Sequence, residues 1–317
     1  MVILYSRIDF IVILIILTGI FFFLNIQDDR MFEKINAQQD ISINNNFLFQ
    51  NNETELSIHN KTIIVQLLAN HLETKLNKSA AILEIASKLP QIKTLPNASL
   101  IDPSIHGIPK DADISKRQVA QNILSSDKEI EVIFFIMPNG DMYFEEPYSR
   151  QENLTINNFA FRDYYEGAIS TGDSYLGDLV ISAASGLPQM YMSVPIYSAN
   201  DISKANNTDE NLIGLFVGGF NIFSTFNKTL QSLPLLENET VIYIDNNGQI
   251  IASSLPSSNV TNHDKLYGLS SLESFKDVID GKSGYIIENI NDKDMLIVYA
   301  PVKFKSTTMG VLYLSIK

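Results

Sequence analysis

The sequence predicts an α+β protein in which a long helix precedes two copies of a mainly antiparallel sheet with flanking helices, behind an N-terminal transmembrane helix. Three observations carry this prediction: an uncharged apolar run at residues 10–24, an amphipathic stretch at residues 64–86, and a repeat of hairpin, helix and strand signals across residues 132–313. Strands paired by hairpins, with helices clustered apart from them, favour an α+β arrangement over a parallel doubly wound sheet.

The N-terminal apolar run predicts a transmembrane helix. It reads FIVILIILTGIFFFL over residues 10–24 without a charge, which is about 22 Å of helix. Three flanking residues bring it into the range of roughly 17–25 residues that a span needs, provided that Asp9 lies at the interface. No small-x-small cleavage site follows the run, so an uncleaved signal anchor over residues 1–27 is favoured over a cleaved signal peptide. A buried core helix is the alternative interpretation.

The flanking charges predict how this helix is oriented. Arg7 precedes it, whereas Asp28 and Asp29 follow it, and the positive-inside tendency then places the N-terminus in the cytoplasm and most of the chain outside. Nine Asn-x-Ser/Thr sequons along the polar part of the chain fit an exterior surface, and the high Asn content explains them equally well. The predicted localisation is the cell membrane, as a single-pass protein.

A long amphipathic helix is predicted before the repeat. Apolar residues recur every three to four positions, at Ile64, Leu68, Leu72, Leu76, Leu83 and Ala86, and Pro90 ends the pattern. A helix of about thirty residues is roughly 45 Å long, which is enough to run beside both repeats. A coiled-coil stalk is the alternative interpretation of this stretch.

Two strand–turn–strand units of the same design follow. The apolar runs 132–137 and 142–144 flank Asn139-Gly140, and the runs 241–245 and 249–252 flank Asn247-Gly248. Asn-Gly between two apolar runs is the strongest short-range signal for a β-hairpin. The sequence therefore predicts one hairpin at the start of each unit.

The two units continue in parallel after their hairpins. Each has a helical stretch, then a strand that ends in proline, then a closing strand with a glycine. The offsets are 108 residues between Gly140 and Gly248, 106 between Pro195 and Pro301, and 96 between Gly214 and Gly310. Landmarks in one order at similar offsets indicate an internal repeat, with a polar insertion at residues 198–211 of the first copy.

Composition and charge exclude several classes of function. The net charge of −13 argues against binding to a nucleic-acid backbone. The absence of cysteine excludes disulfides, thiol nucleophiles and cysteine-ligated metals, and the four scattered histidines offer no metal-ligand spacing. Glu145 and Glu146 are adjacent on a predicted strand and point to opposite faces, so they cannot act as a catalytic pair. The sequence predicts no enzyme, no metal site and no cofactor.

The order of anchor, long helix and two hairpin-containing modules resembles the double Cache family of extracellular sensor domains over about residues 30–317. The most specific stretches are Phe161–Ala168, Ser185–Pro188, Pro195 and Gly214, with Ile244–Ile250 and Gly281–Gly284 in the second module. The resemblance implies two PAS-like modules on one long helix. It divides the chain into an anchor at 1–27, a stalk helix and linker at 28–100, a membrane-distal module at 101–232 and a membrane-proximal module at 233–317.

The resemblance also implies a ligand site in the distal module. Arg162, Tyr164 and Tyr165 match the family's carboxylate motif, and an arginine fork suits a carboxylate. Acidic residues that hold an ammonium group in amino-acid-binding members are replaced here, at the positions of Val180, Ser182 and Asn221. The candidate ligand residues are Arg162, Tyr164, Tyr165, Ser182, Tyr191 and Asn221. These replacements favour a small carboxylate or another polar metabolite over an amino acid.

What the resemblance implies for function is extracytoplasmic sensing of a small molecule by a membrane-anchored signal-transduction protein. The alternative is a ligand-free adhesion or assembly scaffold. Sensing predicts a pocket lined by Arg162, Tyr164 and Tyr165, whereas a scaffold predicts that side chains fill this space. Lys317 directly follows the last predicted strand, so the sequence predicts either a truncated receptor or a sensor that is tethered only at its N-terminus. In the second case, output passes through the first helix, through a homodimer or through a separate signalling partner.

Overall fold

The computed structural model describes residues 53–198, 212–220, 222–255 and 269–316. The predicted transmembrane helix over residues 1–27 and the candidate ligand residue Asn221 lie outside these ranges, as does nearly all of the predicted insertion. Among the described residues, no helix combines the length and the hydropathy of a membrane span.

The described part of the chain begins with one long helix. Helix α1 (Glu53–Ser87) has 35 residues, which corresponds to about 52 Å. Its predicted apolar stripe is buried throughout, at Ile64, Leu68, Leu72, Leu76, Leu83 and Ala86. The helix ends three residues before Pro90, as the sequence predicts.

The first module is built on an antiparallel sheet. Its strands are β1 (Ile130–Ile136), β2 (Met142–Glu146), β3 (Tyr175–Leu176), β4 (Val180–Ile181), β5 (Pro188–Tyr197) and β6 (Leu212–Phe220), and its helices are α2 (Ile114–Ser126), α3 (Tyr148–Gln151) and α4 (Asp163–Thr171). The strand order is β2-β1-β6-β5-β3, and β4 pairs with β5 beyond this path. Helix α2 packs on β1 and β2, whereas α4 packs on β3 and β5.

The second module repeats this plan. Helix α5 (Ile222–Gln231) precedes it in the chain; its strands are β7 (Glu239–Ile244), β8 (Ile250–Ser253), β9 (Gly284–Ile290), β10 (Lys293–Phe304) and β11 (Thr307–Ile316), and its helix is α6 (Glu273–Ile279). The strand order β8-β7-β11-β10-β9 is the counterpart of β2-β1-β6-β5-β3. The α+β class, the long helix and the two tandem antiparallel modules are therefore confirmed.

Both predicted Asn-Gly hairpins are present. They join β1 to β2 and β7 to β8, and their glycines have φ of +89° at Gly140 and +81° at Gly248. A side-chain carbon at Gly140 would lie 2.5 Å from the Cβ of Ala160, which is too close. Glycine is required there by both the left-handed backbone and the packing of the turn.

Helix α1 closes the inner faces of both sheets. Its stripe and the inner residues of the two sheets form one continuous hydrophobic cluster. Leu83 packs on Gly218 of β6, where a side-chain carbon would lie 2.8 Å from Leu83 Cδ1. Tyr243 of β7 donates a hydrogen bond to the backbone oxygen of Leu68 at 3.1 Å. A coiled-coil stalk would leave the stripe open to a second helix, but here the sheets cover it.

The outer face of each sheet carries a separate apolar cluster. In the first module, α4 and the segment before it cover residues of β1, β5 and β6. In the second module, α6 covers residues of β7, β10 and β11. Each sheet is thus packed on both faces.

The shared inner core generates a stability prediction. Leu68 is 0 % exposed in the middle of α1, so Leu68→Ala should lower the free energy of unfolding by about 2–5 kcal/mol, because it removes buried methyl groups and leaves a cavity. Leu56 on the same helix is 46 % exposed, and Leu56→Ala should change stability by less than about 0.5 kcal/mol. Urea unfolding of the two variants measures the difference, and equal midpoints would contradict this account of the core.

Candidate functional site

A small cavity lies on the outer face of the first sheet. Its volume is about 10 Å³, which is room for roughly one water molecule. Its apolar lining comes from Phe134, Met142, Leu154, Phe159, Ala183 and Ala184, and its polar lining from Glu145, Arg162, Tyr164, Ser182 and Tyr191. The lining includes a cation and a carboxylate, as a ligand site would, whereas the small volume is what a side-chain-filled scaffold would show.

The structure brings four of the six predicted ligand residues together. Arg162, Tyr164, Ser182 and Tyr191 all line the cavity. Tyr165 is not part of this lining, and its hydroxyl donates a hydrogen bond to the backbone oxygen of Pro138 at 2.6 Å. Tyr165 thus connects α4 to the hairpin between β1 and β2. The structure does not place it with the other predicted ligand residues around the cavity.

Arg162 occupies the N-cap position of α4, with an extended backbone at φ −81° and ψ 138°. Its Nη2 donates a hydrogen bond to the backbone oxygen of Ile181 at 3.1 Å, and its guanidinium carbon lies 5.0 Å from the centre of the Phe161 ring. Its Nε is buried and has no hydrogen-bond partner among the described residues. A buried cationic N–H without an acceptor is costly.

Aromatic side chains form one wall of the cavity. The ring centres of Tyr164 and Tyr191 lie 5.0 Å apart, and that of Phe134 lies 5.5 Å from Tyr191. Burial raises the pKa of the Tyr164 hydroxyl well above its usual value, and burial likewise raises the pKa of Tyr191. Both phenols therefore stay neutral and remain hydrogen-bonding groups at physiological pH.

A buried ion pair on this side of the sheet was not predicted from the sequence. Glu145 of β2 is 3 % exposed, and its Oε1 accepts a hydrogen bond from Arg150 Nε at 3.0 Å. Arg150 Nη2 also donates to Ser182 Oγ at 3.1 Å and to Gln189 Oε1 at 2.9 Å. Because Arg150 lies in the four-residue helix α3, no periodic pattern marks it in the sequence.

The neighbouring carboxylate lies on the opposite face of β2. Glu146 Oε1 accepts a hydrogen bond from Arg117 Nη1 at 2.7 Å, on the side where α2 packs. This arrangement agrees with the argument that adjacent strand residues cannot converge. It leaves Glu145 as the carboxylate of this pair that faces the cavity.

Burial dominates the electrostatics of Glu145. Desolvation raises the pKa of its carboxyl from 4.5 to about 7, and the nearby Arg150 opposes this rise only in part. Desolvation also raises the pKa of Asp163, at the first position of α4. The cavity thus holds a carboxylate that titrates near neutral pH.

The corresponding place in the second module is different. The segment from Leu272 to Phe275 provides no arginine, and Phe275 and Val278 of α6 pack into the outer cluster. The hydroxyl of Tyr299 donates to Asp277 Oδ2 at 2.8 Å. The charged groups that mark the first cavity have no equivalents in this part of the described structure.

Comparisons with known proteins agree with the architecture. A family profile described as the Cache domain matches residues 49–316. No curated protein matches the chain by sequence.

Solved structures with a similar fold are ligand-binding domains of chemoreceptors. One is that of the amino-acid chemoreceptor PctC of Pseudomonas aeruginosa PAO1 with GABA, at a TM-score of 0.56 and 14 % identity, covering 82 % of this chain and 99 % of that one. Another is that of the chemoreceptor CtaA of Pseudomonas fluorescens with L-isoleucine, at a TM-score of 0.55 and 13 % identity, covering 84 % and 95 %. At such low identities these similarities concern the fold alone.

The pKa of Glu145 generates a prediction about stability and pH. Its folded-state pKa of about 7 lies above its unfolded value of 4.5, so the folded chain binds the proton more tightly and loses stability as pH rises from about 4.5 to 7. Relative to Glu145→Gln, the wild type should lose on the order of 3 kcal/mol of unfolding free energy across this window. Chemical unfolding at pH 5 and pH 8 measures this difference.

The control for this measurement is Glu166→Gln on the same module. Glu166 is an exposed carboxylate of α4, so its replacement should leave the pH dependence of the wild type unchanged. If Glu145→Gln also follows the wild type at both pH values, Glu145 does not titrate as a buried group.

Proposed function

The chain belongs to the Cache domain family, and from this premise we propose that it is the extracytoplasmic ligand-sensing part of a membrane-anchored signal-transduction protein. The observation that carries the proposal is that Arg162 lines a cavity and has a buried Nε with no hydrogen-bond partner among the described residues. The similarity in fold to chemoreceptor ligand-binding domains supports the same conclusion.

The ligand in this proposal is a small carboxylate, or another polar metabolite with an acceptor group. A carboxylate can accept two parallel hydrogen bonds from a guanidinium group, and it neutralises a half-buried cation. Tyr164 and Tyr191 add phenol groups and flat apolar surface beside Arg162. The ligand site lies in the first module because the second lacks these groups at the corresponding place.

Ligand entry requires the cavity to expand, since about 10 Å³ admits little more than one water. In this proposal, the turn between β4 and β5 moves outward to make room for the ligand. Two hydrogen bonds connect this segment to the site: Arg150 Nη2 donates to Ser182 Oγ, and Arg162 Nη2 donates to the backbone oxygen of Ile181. A ligand carboxylate at Arg162 competes with the backbone oxygen of Ile181, so binding and movement of this turn are linked.

The anchor and the module boundaries belong to the same proposal. We place the membrane helix at residues 1–27, the stalk helix and linker at 28–100, the distal module at 101–232 and the proximal module at 233–317. Output then passes through a homodimer or through a separate signalling partner, and the chain is neither an enzyme nor a nucleic-acid-binding protein.

The second candidate function is a ligand-free adhesion or assembly scaffold. The small volume of the cavity favours it, since side chains already occupy most of the space. The unpaired Nε of Arg162 argues against it, because a core built only for packing would satisfy or remove a buried cationic donor.

A thermal-shift screen of the full-length chain separates the two functions. The screen uses four classes of compound: small carboxylates, amino acids, amines and purines. A compound that binds only the folded state at a hundred times its dissociation constant stabilises it by about 2.7 kcal/mol. We expect compounds that carry a carboxylate, in either of the first two classes, to raise the melting temperature, and a scaffold would show no shift with any class.

Arg162 variants then test where a carboxylate binds. Arg162→Ala should lower the affinity for the screen's carboxylate more than a hundredfold, because a broken buried ion pair typically costs about 3–5 kcal/mol. Arg162→Lys should rescue little, since an ammonium group cannot make the planar two-point contact. Titration calorimetry of both variants and the wild type measures this, and equal affinities in all three would remove Arg162 from the site.

A further inference from the structure

We propose that Glu145 determines which carboxylates this cavity accepts, admitting a monocarboxylate that carries a hydrogen-bond donor and rejecting a dicarboxylate. The proposal rests on the proposed function, in which Arg162 receives the first carboxylate. Glu145 lies outside the sequence motif that contains Arg162. Its role would define the chemistry of the ligand's second polar group, the one that is not bound to Arg162.

The position of Glu145 places its charge inside the ligand space. It lies opposite Phe134 in the pairing of β2 with β1, and it lines the cavity together with Arg162, Tyr164 and Tyr191. Its Oε1 is used by Arg150, whereas its Oε2 accepts no hydrogen bond from any described residue. The second oxygen is therefore the one that a ligand can use.

Arg150 fixes Glu145 without acting as a second anion receptor. Its Nε and Nη2 are already engaged with Glu145, Ser182 and Gln189, and Arg150 is not part of the cavity lining. Gln189 in turn accepts a hydrogen bond from the hydroxyl of Tyr191 at 2.8 Å. This network holds the carboxylate of Glu145 in place beside the ligand space.

The two charged groups of the lining then have opposite roles. Among the described residues that line the cavity, Arg162 is the cation and Glu145 is the carboxylate. Once a ligand carboxylate has neutralised Arg162, a second ligand carboxylate would lie near Glu145 in a buried site, where like charges repel strongly. An ammonium, hydroxyl or amide group at that point would instead donate a hydrogen bond to Oε2.

Two pairs of acids with matched skeletons test this inference on the full-length chain at pH 8, where Glu145, with its pKa of about 7, is mostly ionised. L-alanine and methylmalonate differ at carbon 2, and 4-aminobutyrate and glutarate differ at the far end, with an ammonium group in one acid and a carboxylate in the other. In at least one pair, the wild type should bind the amino acid at least tenfold more tightly than the dicarboxylate. Glu145→Gln should reduce this preference at least tenfold, because it removes the negative charge while keeping the side-chain shape.

Two further variants control for effects on folding. Glu145→Asp keeps the charge and should still reject dicarboxylates, even if its shorter side chain lowers the affinity for both acids of a pair. Glu166→Gln removes an exposed carboxylate of α4 and should leave all affinities unchanged. Melting temperatures of each variant identify any loss of folding, and the preference of the wild type within the two pairs carries the test if Glu145→Gln does not fold.

The outcomes separate this inference from the proposed function. If the acids bind and Arg162→Ala abolishes their binding, but Glu145→Gln leaves the preference unchanged, the inference is wrong and the proposed function stands. A wild type that binds the dicarboxylate of each pair as tightly as the amino acid also overturns the inference. If none of the four acids binds the wild type, the inference fails, and the wider screen decides the proposed function.

Discussion

Both sheets bury their inner faces against the apolar stripe of α1, so this one surface positions both modules. Polar contacts along the same helix reach both modules: Lys61 pairs with Glu239 at 2.5 Å, and Lys75 pairs with Glu129 at 2.8 Å. With the inner faces closed in this way, each outer face is free to carry its own cluster. The candidate site lies on the outer face of the first sheet. The inner core beneath this sheet is packed without a ligand.

Most of the fold could be predicted from the sequence because its signals are local and periodic. The stripe from Ile64 to Ala86 follows the helical repeat, and Asn-Gly marks the hairpins at Gly140 and Gly248. The order of landmarks also predicted that the second sheet repeats the first. Two copies of one unit are expected to share a strand order, so this similarity can be predicted without knowing the contacts between the copies.

The candidate site could be predicted only in part, because it depends on contacts between distant segments. The adjacent residues Tyr164 and Tyr165 look equivalent in the sequence, but their directions on α4 differ by about 100°, and only the packing decides that Tyr164 faces the cavity. Arg150 meets Glu145 through the short helix α3, which has no sequence period of its own. The buried ion pair that holds Glu145 beside the cavity therefore appears only in three dimensions.

We propose that the first module holds a ligand on its outer face and that the second does not. A crystal structure of the chain grown with the acid that raises its melting temperature most tests this claim directly. We expect density for the acid beneath the turn between β4 and β5, with its carboxylate within hydrogen-bond distance of Arg162. Density between α6 and the second sheet, with none beside Arg162, would contradict the account.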